Sequence, residues 1–180
     1  MFIVIYGGSA SGKSEYAESL VTGWKDKGEE TSPVRIYIAT MYPFDEECRL
    51  RIGRHQRMRE AKQFQTVECY TGLKRVQVPK GASVLLECMS NLTANERYQP
   101  DGAKEAAVSE ILEGIGRLKK QAGLLVVVTN DVFCAGLSYD PDTMGYLEDL
   151  GRINAAMASM ADEVVEVVYT IPVRLKGGTV

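Results

Sequence analysis

The chain has 180 residues, 45% of them hydrophobic, with a formal net charge of −3 and an isoelectric point near 5.3. That apolar content suffices for one good core over residues 1–180, and the acidic balance gives no electrostatic case for nucleic acid as the main partner. Four cysteines without a C-x-x-C pair, and a single histidine, argue against a Cys/His zinc site and for a reduced, cytosolic, soluble domain.

In chain order, "FIVIY" (2–6) reads as a buried strand and runs directly into "GGSASGKS" (7–14). Its five apolar residues carry no basic lead and are too few for a signal peptide or a membrane span. From Gly7 to Ser14 the spacing is G-x-x-x-x-G-K-S, the phosphate-cradling loop between a strand and a helix. Glycines there let backbone N–H groups face phosphates closely. The lysine reaches the terminal phosphates of a nucleoside triphosphate, and the hydroxyl ligates magnesium. The candidate phosphate site is therefore Gly7, Gly8, Ser9, Ala10, Ser11, Gly12, Lys13 and Ser14, with Lys13 catalytic and open to ligand rather than packed in the core. A helix is expected over Ser14 to Lys27, then a strand at "RIYIA", then a helix over about Asp45 to Lys62. This second helix holds the only histidine, His55. Arg51, His55 and Arg59 share one of its faces at a spacing of four, flanked by Arg54 and Arg57. Two readings stay open: a solvated basic helix with an incidental histidine, or guanidinium clamps around an imidazole nucleophile.

Further on, the strand "SVLLE" ends at Glu87, which is either a carboxylate for magnesium or an acid capping the next helix. A helix is expected over about Ala103 to Gln121, followed by the strand "LLVVVTN". Asn130 and Asp131 at its end either face a ligand or make an ordinary turn. A helix over about Thr143 to Met160 precedes the tail "EVVEVVYTIPVRLKGG", read as two strands joined at Thr170 to Pro172, an antiparallel hairpin at the sheet edge. Runs that are apolar throughout, alternating with helical stretches, make this an α/β protein: a mostly parallel sheet with helices on both faces.

Beside the phosphate loop, the chain carries "YIAT" (37–40), "DEECRLRIGRH" (45–55), "FQTVE" (64–68), "LLEC" (85–88), Asn95, "VTND" (128–131), "DLGRIN" (149–154) and "ADEVVEVVYTIPVRLK" (161–176). With these it resembles the bifunctional adenosylcobinamide kinase / adenosylcobinamide-phosphate guanylyltransferase family of cobalamin biosynthesis. The resemblance implies a RecA-like P-loop fold, assembly as a trimer, a corrinoid substrate, and use of GTP, with ATP also possible in the kinase step. It implies that His55 carries a covalent guanylyl group. Ile38, Ala39, Thr40, Gln56, Arg57, Met58, Arg59, Glu68 and Glu87 would line the nucleotide site, and Ser14 and Glu87 would serve a magnesium ion. The chain departs from the family pattern at Ala10, Asp131, Phe133, Gly145 and Glu148. Two rival expectations are a small-molecule kinase without a covalent step and a nucleotide-binding regulatory module without catalysis.

Overall fold

The computed structural model describes residues 1–25, 33–133 and 139–178, apart from the side chains of Glu47, Arg51, Arg54, His55, Met58 and Glu60. Lys27 and Cys134 lie outside the described residues. The elements are β1 (Phe2–Tyr6), α1 (Lys13–Gly23), β2 (Arg35–Ala39), α2 (Glu46–Glu60), β3 (Phe64–Glu68), β4 (Ser83–Glu87) and α3 (Met89–Tyr98). There follow α4 (Ala107–Gln121), β5 (Leu124–Val128), α5 (Pro141–Met160), β6 (Glu163–Val168) and β7 (Ile171–Lys176). The strands form one sheet in the order β3-β2-β4-β5-β1-β6-β7, parallel throughout except for β7, which runs antiparallel to β6.

The middle strands are apolar along their length because both faces of the sheet are covered. On one face Val4, Ile38, Leu86 and Val127 pack against Leu92 of α3, Ile111, Ile115 and Leu118 of α4, and Ile153 and Met157 of α5. On the other, Ile3, Ile5, Leu85 and Val126 pack against Ala17 and Val21 of α1. Each such side chain, taken fully out of water, contributes about 1.5–3 kcal/mol. Strand alternation then decides which residues reach which face. Tyr37, Ala39 and Glu87 fall on the α1 side, Ile38 and Thr40 on the other.

Several boundaries differ from the sequence reading, each for a local reason. α1 stops at Gly23, where Trp24 turns extended. α5 starts at Pro141 rather than Thr143, because the Asp140 carboxylate accepts from the N–H groups of Asp142 and Thr143 and proline suits the first helical position. The helix expected from Ala103 opens as a short 3-10 turn, Lys104–Ala106, before α4 begins. The C-terminal turn is Tyr169–Thr170, both left-handed with φ of 49° and 68°, and Pro172 lies within β7. Proline is tolerated there because β7 is an edge strand. Helix α3 carried no expected bounds, beyond the alternative that Glu87 caps a following helix. Ser90, Thr93, Asn95 and Glu96 are among its buried residues, so it shows no clean polar face to read.

Candidate active site

The phosphate loop leaves β1 at the carboxyl edge of the sheet and is pressed from behind by the β6–β7 hairpin. Thr170 N–H donates to Ser11 O at 2.8 Å. A Cβ on Gly12, at φ +91°, would fall 2.9 Å from Thr170 Cγ2, and one on Gly7 would fall 2.6 Å from Val167 O. The glycines are thus required by close approach as well as by backbone conformation.

Lys13 differs from its expected exposure. It is only 7% exposed, with its Nζ donating to Gly8 O at 2.8 Å. The loop wraps the aliphatic stem and its own carbonyl takes the ammonium. Burial holds the Lys13 pKa below its ordinary value, and the nearby Cys88 and Glu87 only partly counter this. Beside it, Ser14 Oγ donates to Glu87 Oε1, and Tyr37 OH donates to Glu87 Oε2 at 3.2 Å. Burial pushes the Tyr37 phenol far up, reinforced by Glu87, so it remains a donor. A serine hydroxyl touching a carboxylate is a hard-oxygen pair that suits magnesium, an ion that keeps most of its coordination for water and phosphate. No cluster of three or more His, Cys, Asp or Glu groups fit to hold a metal occurs among the described residues.

Arg59, near the end of α2, is 5% exposed, and its guanidinium lies 3.5 Å from the centre of the Tyr37 ring. Its Nε and Nη1 have no hydrogen-bond partner among the described residues, nor does Ser11 Oγ in the phosphate loop. The sequence suggested an exposed basic face. Stacking on Tyr37 instead draws this end of α2 onto the sheet.

Lys13, Ser14, Tyr37, Arg59 and Glu87 border one cleft of about 840 Å³, whereas Ser11 and the loop glycines Gly7, Gly8 and Gly12 are outside its lining. Of the predicted residues, Ser9, Ala10, Lys13, Ser14, Ala39, Gln56, Arg59, Glu68 and Glu87 line it. Ile38 and Thr40 do not, as a correction to the sequence reading. Ile38 is in the core, and Thr40 is fully covered, its Oγ1 donating to Cys88 O at 2.8 Å and accepting from Cys88 N–H at 2.7 Å. Thr40 instead latches the ends of β2 and β4. Arg57 is exposed and outside the lining. His55 is on α2, one turn before Arg59, while its side chain and that of Met58 lie outside the described residues.

Sequence reasoning missed Tyr37, hidden in an apolar run, although its alternation with Ala39 beside Glu87 was a usable signal. It also missed Asn91 and Tyr98, which line the cleft from α3. Tyr42 and Tyr70, whose rings meet at 5.1 Å, form another wall. Cys88 borders the cleft, yet burial raises its thiol pKa, so it is no ready nucleophile. At the departure Gly145, a Cβ would lie 2.7 Å from Nη2 of Arg97, the far end of a side chain paired with Asp149.

A strand, a glycine-rich loop ending in Lys13–Ser14, a helix, and a carboxylate at the end of a strand two places away define a phosphate-loop nucleotide-binding protein. A solved KaiC-like protein from the hyperthermophilic archaeon Pyrococcus horikoshii OT3 shares the fold with a TM-score of 0.50 at 10% identity, covering 92% of this chain and 69% of that one. Residues 3–175 match the family described as cobinamide kinase / cobinamide phosphate guanyltransferase, and the chain belongs to that family. It is 31% identical to the bifunctional adenosylcobalamin biosynthesis protein CobU of Salmonella typhimurium, over 98% of this chain and all of that one. The Escherichia coli protein of the same description is equally similar, and CobP of Pseudomonas aeruginosa is 28% identical over 97% and 96% of the two chains. No helix among the described residues is long and apolar enough to cross a membrane.

Proposed function

We propose that this chain, as one catalytic domain, phosphorylates adenosylcobinamide and then joins GMP to the product. In the first reaction the hydroxyl oxygen of the aminopropanol arm bonds to the terminal phosphorus of GTP or ATP. The bond from that phosphorus to the diphosphate breaks, and the nucleoside diphosphate leaves. In the second, the His55 imidazole attacks the α-phosphorus of GTP and pyrophosphate leaves. The corrinoid phosphate then takes GMP from the histidine, giving adenosylcobinamide-GDP and free imidazole. Lys13 and the loop amides hold the phosphates and offset charge on the departing group. Magnesium, held by Ser14 and Glu87, would supply further neutralisation when bound. Gln56 and Arg59 line the guanylyl site, and Ala39 and Glu68 border the nucleotide.

The observation that carries this reading is Arg59, whose Nε and Nη1 have no hydrogen-bond partner among the described residues, in the same cleft as Lys13. A buried donor left without a partner costs about 1–3 kcal/mol, more when charged. A nucleotide phosphate would offset that cost. On the same reading the working form is a cytoplasmic homotrimer, which sedimentation can test.

The deciding experiment is incubation with magnesium and GTP labelled at its α-phosphate. The wild type takes up an acid-labile label, and His55→Ala takes up none. Label persisting in His55→Ala would overturn the assignment of the guanylyl group to a histidine, since the chain has no other. An unlabelled wild type that still phosphorylates the corrinoid would favour the plain kinase.

A further inference from the structure

We propose that the aromatic ledge formed by Tyr42, Phe44 and Tyr70 seats the purine base of the guanylyl donor, which stacks there while its phosphates run back to the phosphate loop. This rests on the guanylyl-transfer half of the reading above and names the part of the cleft that holds the nucleoside.

The ledge is set well away from the loop. Tyr42 and Phe44 follow the end of β2, and Tyr70 follows the end of β3, whereas the phosphate loop follows β1. In the sheet, β2 stands three places from β1, about 14 Å at the usual spacing of neighbouring strands. A triphosphate with its sugar can bridge such a gap. The ring centres of Tyr42 and Phe44 are 4.8 Å apart, those of Tyr42 and Tyr70 are 5.1 Å apart, and all three residues line the cleft. Phe44 is nonetheless 65% exposed and Tyr42 37%. Rings gathered in this way, yet left open to water, offer a flat apolar surface to a flat ligand.

Helix α2, which begins two residues after Phe44, gives the nucleotide its direction. Its cleft-lining residues are Cys48, Ile52, Gln56 and Arg59, spaced four, four and three apart and so on one face. Along that face the chemistry runs from thiol and aliphatic at the Phe44 end to amide and guanidinium at the other. His55 stands three residues after Ile52 and four before Arg59. An α-phosphorus attacked by its imidazole has the pyrophosphate in line with the attack and the nucleoside across it. The nucleoside therefore runs along α2 in one of two directions. Towards Arg59 and Lys13 it would set the base among the groups that hold phosphate. Towards Ile52 and Cys48 it reaches the ledge. The opposite wall, which includes Asn91, Ala94 and Tyr98, offers one ring rather than three, borne by α3 and not by the segment that leads into α2. Once pyrophosphate has left, contacts to the nucleoside are what hold the histidine-bound GMP in place for the corrinoid phosphate, so a base platform serves the second half-reaction as well.

The test uses the full-length protein with magnesium and GTP labelled at its α-phosphate, comparing the wild type, Phe44→Trp and the double variant Tyr42→Ala/Phe44→Ala. Tyr42 and Phe44 lie outside both core clusters, so their loss should leave the melting temperature close to that of the wild type. Cutting the aromatic partner of one stacked base to alanine weakens binding by about 5–150-fold. The double variant is expected to need at least about tenfold more GTP for half-maximal labelling, to reach the same final label, and to keep the wild-type inhibition constant for inorganic tripolyphosphate. Phe44→Trp should need no more GTP than the wild type. An unchanged GTP requirement in the double variant overturns the assignment alone. A matching loss of tripolyphosphate inhibition also overturns it, placing the effect at the phosphate end. A rise only in the corrinoid KM of the second reaction would give the ledge to the corrin ring instead. A wild type that takes up no label overturns the guanylyl half of the proposed function, and this assignment with it.

Discussion

Lys13 is the residue where burial and charge compete most directly. Its lowered pKa means that the ammonium is less favoured in the free protein than in water, whereas anionic phosphates favour it. Nucleotide binding should therefore take up protons at alkaline pH. Affinity should fall as pH climbs through the lowered pKa of the free protein, at a pH below the ordinary lysine range. Calorimetry in buffers of different ionisation enthalpy reads this uptake, and Lys13→Ala should show weaker binding without it. Glu87 gives a second expectation at this scale. Glu87→Gln keeps the shape but removes the charge beside Ser14, so the magnesium concentration for half-maximal rate should rise about tenfold or more, an effect of about 1.4 kcal/mol. An unchanged magnesium titration would leave Glu87 a strand-end cap. The lysine and the acid were legible in the sequence because each sits at a fixed place in the motif or at a strand end. Arg59 and Tyr37 were only half legible. Neither a basic helix nor an apolar strand announces that one guanidinium will stack on one phenol across two elements.

Among the elements, those carried by apolar runs were legible, and those defined by tertiary contacts were not. α3 is held by its polar side chains. Asn95 Nδ2 donates to Thr40 O at 2.8 Å, and the Glu96 carboxylate accepts from Gly72 N–H at 2.6 Å and Ala103 N–H at 2.9 Å. Propensity and periodicity carry no trace of such bonds. β3 shows the opposite weakness: its residues are largely exposed, so "FQTVE" lacks the apolar run that marked the inner strands. The contact between the hairpin and the phosphate loop yields a prediction for an element as a unit. Gly12→Ala forces a Cβ onto Thr170 and a left-handed conformation onto alanine. It should cost about 1–3 kcal/mol, read as a lower urea midpoint. Because Gly12 caps α1, nucleotide affinity should fall as well.

Over the whole molecule, one sheet couples the loop to both hydrophobic layers, so ligand binding should register as global stability. GTP with magnesium at a hundred times its dissociation constant should add about 2.7 kcal/mol, seen as a higher melting temperature in the wild type and a smaller shift in Lys13→Ala. The order of strands also has a consequence for how the protein is made. β1 is translated first, yet its partners are β5 and β6, with Val4 set beside Val127 on one side and Val164 on the other. Neither neighbour exists until most of the chain has left the ribosome, and the hairpin that braces the loop comes later still. For most of its synthesis the segment "FIVIY" is an apolar strand with two open edges, the kind of surface that nascent-chain chaperones cover. The first phosphate-binding residues to be translated are thus among the last to be assembled, and a stalled or shortened chain should accumulate as aggregate rather than as a partly active enzyme.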